Sequence, residues 1–264
     1  MSRVASRRAD VLSVAMPERE GTGHHAVVTG VSTGLGESIA AQLLTRGFTV
    51  IGIGRTAAPR LVSGAFRLVV ADLADTSRLP ERLDTLFDAL ATGRPSSIVV
   101  INNAATAGPA GTVGSLVAGE VVASLGVNLV APMMIANAFV RAFRDVDIPR
   151  RLLNVSSGAA VRPIAGGGVY NVAKAGLEML TAVVAAEQPA SGIVAITVRP
   201  GIIDTRMQGF LREQSEERLP AVGMFRGFHE SRQLVAPDVT AAKIVERLVL
   251  GPVESGRTYS YAEL

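Results

Sequence analysis

Short apolar runs separated by longer amphipathic stretches fill the chain from residue 24 onward. Ala26–Thr29 (AVVT), Phe48–Ile53 (FTVIGI), Phe66–Ala71 (FRLVVA), Ser97–Ile101 (SIVVI), Arg151–Val155 (RLLNV) and Val194–Val198 (VAITV) have the length and composition of buried strands. A seventh candidate strand is Thr258–Tyr261. Between them, 35–46, 77–91, 120–144, 169–188 and 238–250 carry apolar residues at helical spacing. Apolar strands alternating with helices predict an α/β fold, with helices on both faces of one doubly wound sheet of about seven mostly parallel strands. No repeat and no low-complexity linker interrupts the alternation, so 24–264 reads as one domain. Residues 1–23 read as a flexible N-terminal extension.

Composition narrows the chemistry. The 264 residues are 48% hydrophobic and 19% charged, which excludes a disordered chain. Twenty-six basic against 23 acidic residues give a net charge of +3 with no basic cluster, so no nucleic-acid partner is expected. Cysteine is absent, which removes disulfides, thiol catalysis and thiolate metal sites. With three histidines, no metal site is expected. No apolar run reaches the roughly 18–20 residues of a membrane span, and no membrane partner is expected. Val11–Met16 is too short for a secretory core, and the expected location is cytoplasmic.

The first strand runs into Thr29-Gly30-Val31-Ser32-Thr33-Gly34-Leu35-Gly36 and then a helix. Glycines there let the chain turn sharply and let a phosphate approach the helix N-terminus, where free N–H groups favour an anion. The spacing is G-x-x-x-G-x-G, and a glycine-rich turn alone can also be purely structural. Strand two ends in Gly54-Arg55-Thr56, where an NAD-binding fold carries an acidic residue for the ribose 2′-hydroxyl. The missing carboxylate and the forked guanidinium of Arg55 favour a 2′-phosphate, hence NADP(H) over NAD(H).

Tyr170-Asn171-Val172-Ala173-Lys174 opens a helical stretch and places a phenol and an ammonium one turn apart. A nearby ammonium is expected to lower the phenol from its usual value near 10 toward the range of an acid–base catalyst. The pair alone is a frequent chance match. It is accompanied by Ser157 at the end of a strand, Asn102-Asn103-Ala104-Ala105 at the end of another, and Asn128 inside an apolar helix. Such an Asn needs hydrogen-bond partners and serves a structural or a relay role.

Together these motifs resemble the short-chain dehydrogenase/reductase family, whose fold is a Rossmann domain. The match runs in order through the loop at 29–36, Asp72-Leu73, Asn102–Ala104, Asn128, Ser157, Tyr170, Lys174 and Arg199-Pro200-Gly201 to Thr205, over about 24–264. The resemblance implies Tyr170 as proton donor, Lys174 as the group that lowers its pKa and holds the nicotinamide ribose, and Ser157 as the group that orients a carbonyl. It implies Asn128 as holder of a relay water. It places Gly30, Ser32, Thr33, Gly34, Leu35 and Gly36 at the cofactor phosphates, Asp72 and Leu73 beside adenine, and Asn102 and Ala104 near the adenosine ribose. Pro200, Gly201, Ile203 and Thr205 fall on the nicotinamide side. Two departures stand out: Ala105 where the family has Gly, and Thr33 where NADP-dependent members often carry Arg.

A finer resemblance, in V-I-G-I-G-R-T at 50–56, P-G-I-I-D-T-R-M-Q at 200–208 and S-G-R-T-Y-S-Y-A-E at 255–263, is to the sepiapterin reductase and benzil reductase-like subgroup. It implies reduction of a small ketone or vicinal diketone, with Glu263 near the position of a substrate anchor. An oxidative alcohol dehydrogenase and a non-catalytic dinucleotide-binding regulator are the alternatives. The segment 202–235 reads either as a mobile lid over the substrate or as an amphipathic helix packed on the sheet, with His229 a surface residue. Apolar residues beyond one face of 120–144 and 169–188 suggest a homodimer or homotetramer.

Overall fold

A computed structural model describes residues 23–56 and 59–264. The proposed N-terminal extension lies outside the described residues, apart from Gly23. Seven parallel strands form one sheet: β1 His24–Thr29, β2 Thr49–Gly54, β3 Phe66–Val70, β4 Ser97–Asn102, β5 Arg150–Val155, β6 Ile193–Arg199 and β7 Thr258–Ser260. Their order is β3-β2-β1-β4-β5-β6-β7. The chain therefore leaves β1 in opposite directions toward β2 and β4. The crevice opened by that reversal, beyond the carboxyl ends of the strands, is where such sheets bind ligands.

Alternation along the strands splits the core in two. Val28, Val50, Val99 and Leu153 face α1 (Gly34–Thr45) and α8 (Pro237–Ile244). Val27, Ile51, Val100 and Leu152 face α2 (Leu79–Thr92) and α4 (Ala131–Phe143). On that second face Phe139 stacks near both Phe87 and Phe143, with ring centroids 5.9 and 5.5 Å away. Helix α5 (Gly168–Glu187) packs on β5 and β6 and carries the Tyr170 and Lys174 pair.

The stretch expected as one helix over 120–144 is α3 (Ala118–Leu125), a π turn at Gly126–Val130, and α4. A second π turn, Val245–Leu250, ends the stretch expected over 238–250. Because α3, the π turn and α4 are continuous, 118–143 is long and apolar enough by length and composition to cross a bilayer, as is 168–187. Within them α4 packs on β5, and α5 on β5 and β6.

Segment 202–235 contains α6 (Arg206–Arg212) and α7 (Val222–Glu230). Its ends meet: Asp204 N–H donates to Val235 O, and Val235 N–H to Ile202 O, both at 2.9 Å. Leu219, Val222 and Phe225 form a third small core with Ala110, apart from the two sheet faces. The segment is thus a pair of helices standing over the crevice rather than one helix laid on the sheet. It is pinned at one point. A Cβ on Gly166 would lie 2.4 Å from Arg218 O and 2.7 Å from Leu219 Cα, so only glycine admits that approach.

Candidate active site

The crevice has a volume of about 1390 Å³. One end of it, where the sequence places the cofactor phosphates, is the turn from β1 into α1. Gly30 has φ +72°, and a Cβ there would sit 2.9 Å from Ala104 Cα. Gly34 has φ +64° and abuts Thr205, whose Cγ2 would lie 3.2 Å from an added Cβ. Gly36 does not line the crevice; a Cβ on it would meet Gly30 O at 2.3 Å, so its role is to let the helix begin this close to the loop. Ser32, Thr33, Gly34 and Leu35 form the wall, and the Thr33 side chain makes no cap hydrogen bond. Beside them lie Arg55, Thr56, Asp72 and Leu73. Asp72 Oδ1 accepts the Ala74 N–H at 3.0 Å, which holds the turn after β3.

The end of β4 corrects one assignment. Asn102 does not reach the crevice: it is buried in the strand and donates to Asn154 Oδ1 at 2.9 Å. Strand alternation turns the next residue the other way, and Asn103 lines the wall with Ala104. Asn103 Nδ2 donates to Thr29 O at 3.0 Å, and Thr29 Oγ1 accepts the Asn103 and Ala104 N–H groups at 2.9 Å each. Two adjacent asparagines cannot be told apart by composition; the strand's exact end decides.

Asn128 sits at the centre of the π turn, fully buried and off the crevice wall. Its Oδ1 accepts the Thr106 N–H at 2.9 Å, while Nδ2 donates to Thr106 O at 2.8 Å and Ser124 Oγ at 3.2 Å. The side chain is spent on fixing the loop after β4, so of the two roles open from sequence the structural one is seen. A π turn at that point also leaves backbone carbonyls without their usual helical partner.

The other end of the crevice holds Ser157, Tyr170 and Lys174 together. Ser157 follows β5 and lines the crevice with Tyr170, close enough for its hydroxyl to pull the phenol's pKa down. Ser157 Oγ also accepts the Ala159 N–H at 3.2 Å. Between them, Asn171 holds the connecting loop: its Nδ2 donates to Arg162 O at 2.7 Å, and its Oδ1 accepts the Ile164 N–H at 3.2 Å. Sequence reading passed over Asn171, although it sits beside Tyr170 at the start of the helix. Lys174 is 2% exposed and donates from Nζ to Val155 O at 2.7 Å.

The electrostatics differ from the expectation. Burial pushes Tyr170 up to about 12, against a smaller downward pull from the Ser157 hydroxyl. Burial pushes Lys174 down to about 8. The ammonium lies 5.6 Å from the Tyr170 ring centroid and is turned to a carbonyl, so desolvation outweighs its attraction for a phenolate. The pair is arranged as a neutral phenol beside a lysine that titrates in the mildly basic range.

Pro200, Gly201, Ile203 and Thr205 also line the crevice. From the overhanging helices come Met207, Gln208, Phe210, Leu211 and Phe225. Glu263 is not part of the wall. It accepts the Ser260 N–H at 2.7 Å and pairs with Arg257 at 2.8 Å, closing the last turn of the chain. The expected substrate anchor is therefore a cap.

A family model for short chain dehydrogenases matches residues 24–216. The chain belongs to that family. Benzil reductase ((S)-benzoin forming) of Bacillus cereus is 31% identical over 228 residues, 83% of this chain and 92% of the relative. Sepiapterin reductase of Meriones unguiculatus is 32% identical over 205 residues, 72% of this chain and 78% of the relative. The crystal structure of the KRED1-Pglu enzyme superposes with a TM-score of 0.77 at 30% identity, over 89% of this chain and 99% of that one. The subgroup that the sequence motifs suggested is the one these relatives represent, and the chain is an oxidoreductase of this family.

Proposed function

We propose that the protein is an NADP(H)-dependent carbonyl reductase acting on a small ketone or vicinal diketone. The observation that carries this reading is the grouping of Ser157, Tyr170 and buried Lys174 in one wall of the crevice. The residues fit a dinucleotide: Gly30 and Gly34 leave room where side chains would intrude, and Ser32, Thr33 and Arg55 face the same end of the crevice. Among the described residues Arg55 has no acidic partner, which suits a 2′-phosphate. The nicotinamide, when bound, supplies the hydride.

Ser157 and Tyr170 bind the carbonyl oxygen from two sides and fix its distance from the ring wall at Pro200–Gly201. As negative charge develops on that oxygen, Tyr170 gives up its proton to it. A phenol held well above neutral pH is protonated and ready to donate. Lys174 then stabilises the phenolate from within the same buried site. Asn128 acts at one remove, by holding the loop that carries Asn103 and Ala104. The relatives named as benzil and sepiapterin reductases support a carbonyl substrate.

The test is fluorescence titration with NADPH and NADH, followed by oxidation of the bound cofactor with a panel of vicinal diketones. NADPH preference with diketone-dependent oxidation is expected; NADH preference would overturn the role given to Arg55. A homodimer or homotetramer is part of the same reading, since Val122, Met133, Val172 and Met179 leave large apolar surface exposed on α3, α4 and α5. Light scattering at micromolar concentration should give a multiple of the chain mass.

A further inference from the structure

Next to the catalytic hydroxyls lies a second polar cluster that the proposed chemistry leaves unused. Glu178 stands on α5 one turn beyond Lys174 and two beyond Tyr170. Arg199 meets its carboxylate as a fork, Nε to Oε1 at 2.8 Å and Nη2 to Oε2 at 2.7 Å. Oε1 also accepts the Ser156 hydroxyl at 2.8 Å, and that hydroxyl reaches Lys174 O at 3.4 Å. The Glu178 and Arg199 side chains are 15% and 29% exposed.

Each member belongs to a different wall of the site. Ser156 precedes Ser157 at the end of β5. Glu178 rides on the helix of Tyr170 and Lys174. Arg199 ends β6, immediately before Pro200 and Gly201. One carboxylate therefore ties the residue before the carbonyl-orienting serine, and the end of β6 that leads into Pro200–Gly201, to the helix of the proton donor. A partly exposed ion pair gains modest net stability, although the Glu178 carboxylate raises the Arg199 pKa against a smaller effect of burial. What it does provide is fixed geometry: a forked guanidinium tolerates little rotation, and the serine bond adds a third fixed point.

We infer that Glu178 is a positioning residue, whose clamp on Ser156 and Arg199 sets the alignment of Ser157, Tyr170 and the Pro200–Gly201 wall. The inference rests on the reductase reading, and the experiment separates the two. Tyr170→Phe tests the reductase reading alone, by loss of diketone turnover. With wild-type turnover established, Glu178→Gln keeps the volume but loses the charge that holds the fork. It should lower kcat about 10-fold or more while leaving the NADPH Kd within about 3-fold and the unfolding midpoint nearly unchanged. Ser156→Ala should lower kcat by a smaller factor, and the double variant should lose no more than Glu178→Gln, because both cut the same clamp.

Multiplying losses, or an unchanged kcat in the folded variant, would overturn the inference. Ser156→Ala removes a single hydroxyl and keeps the test open if Glu178→Gln does not fold. If no diketone is turned over, the emission of bound NADPH is the readout. A changed spectrum in Glu178→Gln supports the clamp, and an identical one overturns it.

Discussion

The catalytic end of the crevice and its phosphate end are built on opposite plans. Around Tyr170 the neighbouring polar groups have protein partners and lie in or near the core: Lys174 on Val155 O, Ser157 on the Ala159 N–H, Asn171 on its loop. Around Ser32, Thr33, Arg55 and Thr56, no side-chain hydrogen bond is made among the described residues, and Arg55 and Thr56 are exposed. Chemistry needs groups fixed before the substrate arrives, since reorganisation during the reaction costs rate. Binding an anion needs donors left free until it arrives, and a charge already satisfied by the protein would be spent. One end is therefore organised by burial, and the other by withholding partners.

Breaking the buried end should have the largest effect. Tyr170→Phe removes the proton donor and should lower kcat by about 10²–10⁴-fold, with NADPH binding retained in the same titration. Loss of cofactor binding in that variant would show that the two ends are not separable.

Reversing the open end should cost less. Arg55→Glu should weaken NADPH by about 10-fold or more and leave NADH within a few-fold, because only the former carries the 2′-phosphate. Equal weakening of both would place Arg55 elsewhere on the cofactor. Gly30→Ala tests the backbone of that end. A positive φ and a contact at 2.9 Å with Ala104 Cα cannot be relieved by a side-chain rotation. The expected loss is about 1–3 kcal/mol of stability, read from denaturant unfolding.

The smallest effect sharpens the account of burial. Lys174 is held at about 8 when folded, against 10.5 for a free lysine. Between those values the unfolded chain binds the extra proton, so this group makes the fold more stable as pH rises from about 8 toward 10.5. Below about 8 both states are charged and the full desolvation cost is present. Relative to Lys174→Met, the wild type should gain roughly 2–4 °C in Tm for each unit of pH climbed within that window. A flat difference would mean that folding does not shift Lys174, so that it binds its proton equally in the folded and unfolded chain.

How much of this was legible beforehand depends on how local each feature is. Strand composition placed all seven strands within a few residues, because a strand buried on both faces has to be apolar throughout. The glycines of the phosphate loop and the Tyr170–Lys174 spacing are local too, and both lie where the sequence put them. The errors are non-local. Whether Asn102 or Asn103 faces the crevice turns on a single residue of strand register. Asn128 is committed to Thr106, which only folding brings beside it. Glu263 turns back on Arg257 and Ser260 instead of reaching the crevice.

The clearest divide lies in the electrostatics. A phenol and an ammonium one helical turn apart can be read from five letters, and their mutual attraction follows. The sequence therefore indicated which groups meet, along with the fold class, the glycine-rich turn after β1 and the missing acid at Gly54. The tertiary structure decided what those groups experience. Burial moves Tyr170 upward and Lys174 downward more strongly than either acts on the other. Desolvation depends on everything packed around a charge, and that surrounding is assembled from segments apart in sequence, as where β5 meets α5 at Val155 and Lys174.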